Sequence, residues 1–593
     1  MKIIISRICF FIRRHYLAFI FAILIGLIAS ATLWVSIYSA GDRYKGVIFS
    51  ESSDDVIYLA RIQEILDGHG LVGSPYFYEY KSAKALMLPY GEYFYALPSI
   101  IFHIPVAYVL AISVFLFPAI LFFLVYLLIH YLTYDQDSIS NKMNAIAGGS
   151  FVMVANYLLM YDFMRAYLTG QIDVSYSILW TRTVNPVTGG LLLMAFLLLL
   201  WSIINKKCFY FFIPAGIILG LMTAYFFSWS CALAVTGALI AIFLFKKEYA
   251  TVKSLIFLTA VSLLTSVPFL YNGFSQATEA NKVLYTRMGM SFTHSPVFNK
   301  ITIVSLSIFT IFLIYEFYQK KKIGARMDNW WWFSFALLAG GVLAYNQQII
   351  TGRLLSIRHF PQYTIPLAII AGLSLLYNQI KPKLKSLWFV VVSLMTIVSV
   401  ALSVSFAIKN YQYTFKDFLE AQKDADIFSW FNENAPKDCV VLPVGASAQP
   451  RDMALFIPAF THCNVYQFYG WNLSGAPMER SIFGYLVYLR ARGVTDKTID
   501  DYLKTHQEEI RVIYSESEEQ VTGEETNEPL MKKATESVAA KYNEFFKLDF
   551  VSELKKYRLD YVLIDEELSG QIVKIIPGLK YINKLGGWEL YQF

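Results

Sequence analysis

The chain has 593 residues, of which 56% are hydrophobic, 17% aromatic and only 16% charged. That balance excludes an ordinary soluble globule and describes a polytopic α-helical membrane protein. The formal net charge of +6 is no nucleic-acid signature, because Lys and Arg gather in short loops between apolar segments, the positive-inside pattern.

From the N-terminus, the first membrane-length apolar run covers residues 16–38. A signal peptide ending near Ser39-Ala40 is the other reading, but the run is longer than a usual signal core, so it reads as an anchor. Just beyond it, Ser52, Ser53, Asp54 and Asp55 open a short amphipathic helix. These residues also make an ordinary helix N-terminus, with a capping serine and acids facing the helix dipole. Asp55, Leu59, Ile62 and Leu66, however, share one helical stripe, which turns Asp55 inward. A pure cap has no need to share a buried stripe. A helix of this kind, lying along the bilayer surface, can hold a carboxylate pair beside lipid headgroups.

About 20 residues are needed to cross ~30 Å of hydrocarbon. By that measure, apolar runs near 105–131, 144–161, 186–204, 208–228, 230–245, 254–271, 301–318, 330–346, 363–378 and 387–408 complete a set of about eleven spans. Alternate connections carry Arg7, Arg13, Arg14, Lys142, Lys206, Lys207, Lys246, Lys247, Lys320, Lys321, Lys322, Arg326, Lys381, Lys383 and Lys385. Their side is expected to be cytoplasmic. The N-terminus is then inside a plasma or inner membrane, and everything after Lys409 outside. No Asp, Glu, Lys or Arg lies near the middle of a predicted span. Ion-coupled carriers and channels place such groups there; a lipid flippase with a neutral cavity stays open.

Polar chemistry gathers in the loops on the expected outer side. The first holds Glu51, Asp54, Asp55, Glu79, Lys81, Lys84 and Glu92, and the second Arg165, Asp173 and Arg182. The third holds Glu279, Lys282, Arg287 and His294, the fourth Arg353, Arg358 and His359 with no acid beside them. Basic residues on the outer side oppose the positive-inside bias and call for an anionic ligand, since Arg pairs bidentately with phosphate. Pairing with headgroups or local carboxylates is the alternative for each taken singly.

Residues 410–593 change to a mixed α/β pattern, so the expected division is a transmembrane domain at 1–409 and an extracytoplasmic α/β domain at 410–593. Helical patterns fall at 415–432, 481–492, 499–507 and 532–554, and strand patterns at 439–444, 464–468, 560–564 and 588–593. An acidic, turn-rich stretch at 515–529 separates two of the helices. Cys439 and Cys463 each open a predicted strand; a disulfide and two reduced core cysteines are both open. The chain holds no CxxC metal constellation, Gly-rich phosphate loop or GxSxG motif. No cofactor is expected, and a divalent metal is left open.

The run Asp54-Asp55-Val56-Ile57-Tyr58, continuing through Ile65-Leu66 to Gly68-His69-Gly70 and Pro89-Tyr90-Gly91, resembles the first external loop of GT-C glycosyltransferases. It is most similar to the protein O-mannosyltransferase and lipid A aminoarabinose transferase group, in which an Asp-Glu or Asp-Asp pair precedes a surface helix. The overall plan is similar too: an inside N-terminus, many spans, functional loops outside and an external α/β domain. The resemblance implies transfer of a sugar from a polyprenyl-phosphate donor to an extracytoplasmic acceptor, with membrane lipid as a partner and no nucleic acid. It implies Asp55 or Asp54 as general base and Asp173 as a second acid. Arg353, Arg358, His359, Arg165 and Arg182 would receive the departing phosphate. Here the usual Asp-Glu is Asp-Asp, and Phe468-Tyr469-Gly470-Trp471-Asn472 is only a faint echo of the WWDYG element of oligosaccharyltransferases, which argues against that branch. Two other classes remain: a lipid-linked saccharide flippase, and a non-catalytic assembly protein whose external domain binds surface polysaccharide.

Overall fold

A computed structural model describes residues 2–48, 53–85, 87–159, 164–165, 168–169, 178–205, 208–276, 290–384, 386–445, 452–468, 475–514 and 528–593. At residues 2–5, 8, 53–54, 156, 274–276, 512–514 and 528–530 it describes the backbone alone. The chain forms two compact units.

The first unit comprises Met1–Ser36, Leu110–Leu270 and Phe292–Tyr413 and is helical. Long runs without an Asp, Glu, Lys or Arg side chain, such as Tyr16–Ala40 and Val106–Leu132, close their backbone hydrogen bonds internally, as a segment in hydrocarbon must. Ser138 caps Ile139–Leu158 by accepting from the Asn141 N–H at 3.1 Å, and Asn299 caps Lys300–Lys322 by accepting from Thr302. Small residues let helices close on each other. A Cβ at Gly340 would come within 2.8 Å of the Val235 backbone, so Asn329–Tyr345 and Phe226–Phe245 meet with no room for alanine.

Among the described residues, eight helices are long and apolar enough to cross a membrane, and nine if the pair Tyr249–Thr265 and Val267–Gly273, bent by 56°, is one span. The expectation from sequence is about eleven. The segments that fall short are still helical. Ile139–Leu158 carries Asn141, Lys142, Asn144 and Ser150 and is too polar. The 208–228 segment is broken into a 3-10 turn at Phe209–Phe211, a helix at Phe212–Leu221 and a second 3-10 turn at Met222–Ala224, after which Tyr225 is extended.

The second unit comprises Ile37–Val109, Tyr271–Ser291 and Thr414–Phe593. The first loop, which the sequence division places in 1–409, thus folds with the C-terminal segment. Its sheet has strands β1 (Val440–Val444), β2 (Asn464–Val465), β3 (Tyr561–Asp565), β4 (Lys580–Leu585) and β5 (Trp588–Gln592). Their order is β2-β1-β3-β5-β4; β1 runs parallel to β2 and β3, while β5 is antiparallel to β3 and β4. β1 is buried throughout, the continuous apolar run of a strand covered on both faces. Gly586 and Gly587, at φ +57° and +90°, make the two-residue turn that joins β4 to β5.

β2 is an edge strand, and the first loop covers it. The Val465 N–H donates to the Tyr76 carbonyl at 2.9 Å, and Asn464 Nδ2 to that of Pro75 at 3.4 Å. On the other side of this stretch the buried Arg480 guanidinium lies 4.5 Å from the Phe77 ring and 4.1 Å from Tyr557, and donates to the Tyr466 carbonyl at 3.0 Å. Cys439 and Cys463 are disulfide-bonded at the heads of β1 and β2, with Cα atoms 4.6 Å apart.

Candidate functional site

The Ser53–Leu66 helix places the candidate acids. Asp54 lies on its backbone, with its side chain outside the described residues. Asp55 is 2% exposed, and Val56, Leu59, Ala60, Ile62 and Ile65 are buried with it. The helix packs against Tyr93–Phe102 and Met453–Phe460. It is therefore a core helix of the second unit, buried on more than one face, and not the one-faced surface helix the sequence suggests. Asp452, which caps Met453–Phe460 by accepting from the Ala454 N–H at 2.9 Å, is raised to about 6 by burial.

Two charges follow Asp55 along the same helix. Arg61 Nε sits 2.5 Å from Glu92 Oε1, each residue about 2% exposed, and its Nη2 donates to the Met87 carbonyl at 2.8 Å. Glu64 Oε1 lies 3.0 Å from Lys81 Nζ, which also bonds Asp438. His69 Nε2 stands 3.6 Å from the same Asp438 carboxylate. Burial pushes Glu64 up to about 7, Lys81 opposing it and Asp67 and Asp438 adding to it. Burial works to raise Asp438 as well, but the hydrogen bond and charge of Lys81, with His69 and Lys437, outweigh it and hold Asp438 below the usual carboxylate range. The shared lysine thus serves Asp438, and Glu64 keeps its proton to near neutrality.

In the first unit, Arg182 follows the 3-10 turn Leu179–Thr181 and is half-buried; Asn185-Pro186 is cis, and the Val187–Asn205 helix starts there. His359 ends a second 3-10 turn, Ile357–His359, its ring 4.9 Å from that of Phe227 and its Nδ1 3.3 Å from Gln362 Nε2. Among the described residues, the buried Gln362 Oε1 has no hydrogen-bond partner. Tyr363 joins the two stretches, because its hydroxyl donates to the Pro186 carbonyl at 2.9 Å and its ring lies 6.5 Å from Trp180. The third loop's His294 is held at the fourth, its Nδ1 donating to the Ile349 carbonyl at 3.0 Å while the Thr293 N–H reaches Gly352. Arg353 and Arg358 are exposed on that fourth loop, and Arg165 is exposed in the second. Asp173 lies outside the described residues.

Sequence reasoning singled out neither Tyr363 nor Gln362, and it noted Lys81 and Glu92 as loop charges without partners. The partners stand 31 residues away for Arg61–Glu92 and 357 for Lys81–Asp438, a spacing that leaves no local pattern. Among the described residues, no group of three or more His, Cys, Asp or Glu side chains is placed to hold a metal ion.

Fold and loops together define a polytopic helical membrane protein with a mixed α/β unit that incorporates its first loop. No family model matches the sequence, and no curated protein matches it. Among solved structures, the chain is similar to the archaeal oligosaccharyltransferase AglB from Archaeoglobus fulgidus, determined in complex with an inhibitory peptide and a dolichol-phosphate. The match has 12% sequence identity and a TM-score of 0.38, and it covers 97% of this chain and 74% of that one. A likeness of this degree assigns no activity and no residue.

Proposed function

We propose that the protein is an integral membrane glycosyltransferase of GT-C type, moving a sugar from a polyprenyl-phosphate donor to an extracytoplasmic acceptor. The observation that carries this reading is Asp55, a carboxylate 2% exposed on the helix that follows the first apolar span. Structural acids at helix starts are normally solvated, whereas a base that must hold a proton during transfer works in a water-poor setting.

In the proposed reaction the acceptor hydroxyl attacks the anomeric carbon, and the bond from that carbon to the phosphate oxygen breaks. Asp55 takes the hydroxyl proton, and the polyprenyl phosphate departs as an anion. Arg182 and His359, with Arg353, Arg358 and Arg165, are the groups proposed to receive that charge, and Asp54 and Asp173 the supporting acids. The catalytic residues all fall within 1–409. The N-terminus is proposed to be cytoplasmic and the 410–593 segment extracytoplasmic.

Replacing Asp55 with Asn tests this. Asn keeps the size and polarity of the side chain, so the fold should lose less than ~1 kcal/mol. It cannot accept the proton, and loss of a general base lowers rates by ~10²- to 10⁴-fold. Normal membrane abundance with transfer nearly abolished is the expected result, with Asp54→Asn milder. Wild-type transfer by Asp55→Asn and by the double variant would remove the base from this loop. If the wild type itself transfers no sugar, the flippase or assembly reading takes over, and lipid-linked sugar accumulating in a deletion strain, identified by mass spectrometry, names the donor.

A further inference from the structure

The ionic group around Glu64 does more than fill the core. We propose that Glu64, Lys81 and Asp438 form a clamp on the C-terminal half of the Ser53–Leu66 helix, and that protonation of Glu64 sets how tightly the clamp holds that helix and positions Asp55. As far as Asp55 is concerned, the inference rests on the function proposed above; the clamp itself does not.

The geometry is that of a crowded anionic site with one central cation. Lys81 Nζ bridges Glu64 Oε1 at 3.0 Å and Asp438, and both Lys81 and Glu64 are about 5% exposed. Among the described residues, the buried Glu64 Oε2 has no hydrogen-bond partner. An ionised Glu64 would leave that oxygen without a donor in a water-poor site, whereas a carboxylic acid carries its proton there. The groups facing it come from each neighbouring stretch. Asp67 and His69 follow the helix, Lys81 belongs to the first loop, and Lys437 and Asp438 precede β1. His462, before β2, acts on Asp67. Asp67 is itself pushed up by burial, against the opposing pull of Lys81, Gln63, Lys437 and His462.

Three chain segments are tied at this point. Asp438 is held by the backbone next to the Cys439–Cys463 bridge, and its N–H donates to the His462 carbonyl at 3.1 Å. Lys437 Nζ donates to the carbonyl of Asp67, just past the end of the helix. Ionising Glu64 adds a second anion beside Asp438 without adding a cation, so the helix end loosens as pH rises.

The sign and size follow from linkage. Glu64 is raised from 4.5 to about 7 in the folded chain, so its stabilisation is full below the unfolded value and is lost as pH climbs through the folded one. If local opening frees the side chain, the opening equilibrium should grow about tenfold between pH 6 and pH 8. Hydrogen exchange of the full chain in detergent, corrected for the chemical rate, reads this directly on the peptide covering residues 57–66. Wild type should lose about tenfold in protection over that interval, while Glu64→Gln, which mimics the protonated acid, should stay flat. A flat wild-type course overturns the proposal without any variant. So do parallel wild-type and Glu64→Gln courses. In the transfer assay, wild-type activity should fall above pH 7 and Glu64→Gln should not share that fall. A pH-dependent exchange course with no measurable transfer would leave the clamp standing and remove the proposed enzyme instead.

Discussion

Replacing Glu92 with Leu should destabilise the second unit far more than a surface charge change would. Glu92 and Arg61 are each about 2% exposed and meet at 2.5 Å, so removing the carboxylate strands a guanidinium where water cannot reach it. Its remaining described bond, from Nη2 to the Met87 carbonyl at 2.8 Å, satisfies one N–H direction and none of the charge. Breaking a buried pair from one side costs about 3–5 kcal/mol. At roughly 2–4 °C per kcal/mol for a domain of this size class, the unfolding midpoint should drop by roughly 6–20 °C. Arg61→Met alone should behave similarly, since it strands Glu92. The double variant Arg61→Met/Glu92→Leu replaces the pair with apolar groups and should recover most of the loss, because such replacements are often neutral or better. The assay is thermal unfolding of the detergent-purified chain for all four members of the cycle at one scan rate. A Glu92→Leu shift under ~2 °C, or a double variant that simply adds the two single losses, would refute the reasoning.

Two further outcomes are expected. Reporter fusions after Lys322 should behave as cytoplasmic and fusions after Asn410 as exported; opposite behaviour would overturn the side assigned to each loop. Quantitative thiol labelling of unreduced, denatured protein should leave Cys439 and Cys463 unmodified, and losing a bridge that spans 24 residues should cost about 3 kcal/mol; labelling of both would show that the bridge is not formed.

What the sequence made legible, and what it hid, divides along the range of the interactions. The stripe through Asp55, Leu59 and Ile62 is buried as helical spacing requires, because periodicity is a local property. The strand near Cys439 and those near 561 and 588 stand where apolar runs put them. β4 escaped because its alternation is weak, with Lys580, Tyr581, Asn583 and Lys584 all facing outward or partly so, although Gly586-Gly587 ahead of Trp588 was a usable hairpin signal. The helix expected at 415–432 is instead the tail of a 37-residue helix, Ser386–Gln422, that no Gly or Pro interrupts, followed by Ala425–Asn434. Met453–Phe460 was missed because it is apolar on every side and contains Pro458, so no amphipathic period marks it. The incorporation of the first loop into the C-terminal unit depends on partners hundreds of residues apart, such as Lys81 and Asp438 or Tyr76 and Val465, and no window of sequence contains both.

Those long-range charges also bear on how the Ser53–Leu66 helix, with Asp55 on it, is held in register. An apolar stripe specifies which face is buried but not the position along the axis. Leu59, Ile62 and Leu66 repeat every three or four residues, so a slide of one turn, about 5.4 Å, exchanges one aliphatic contact for another. Charges do not tolerate that exchange. A one-turn slide would take Arg61 off Glu92, leaving both buried ions unpaired at several kcal/mol each, and would part Glu64 from Lys81 in the same stretch of the helix. Both contacts are made in the register observed. The Arg61–Glu92 pair therefore adds little net stability over an apolar core of equal volume, yet it disfavours the neighbouring registers, and Asp55, two turns or less from Arg61 on the same rigid element, inherits that precision.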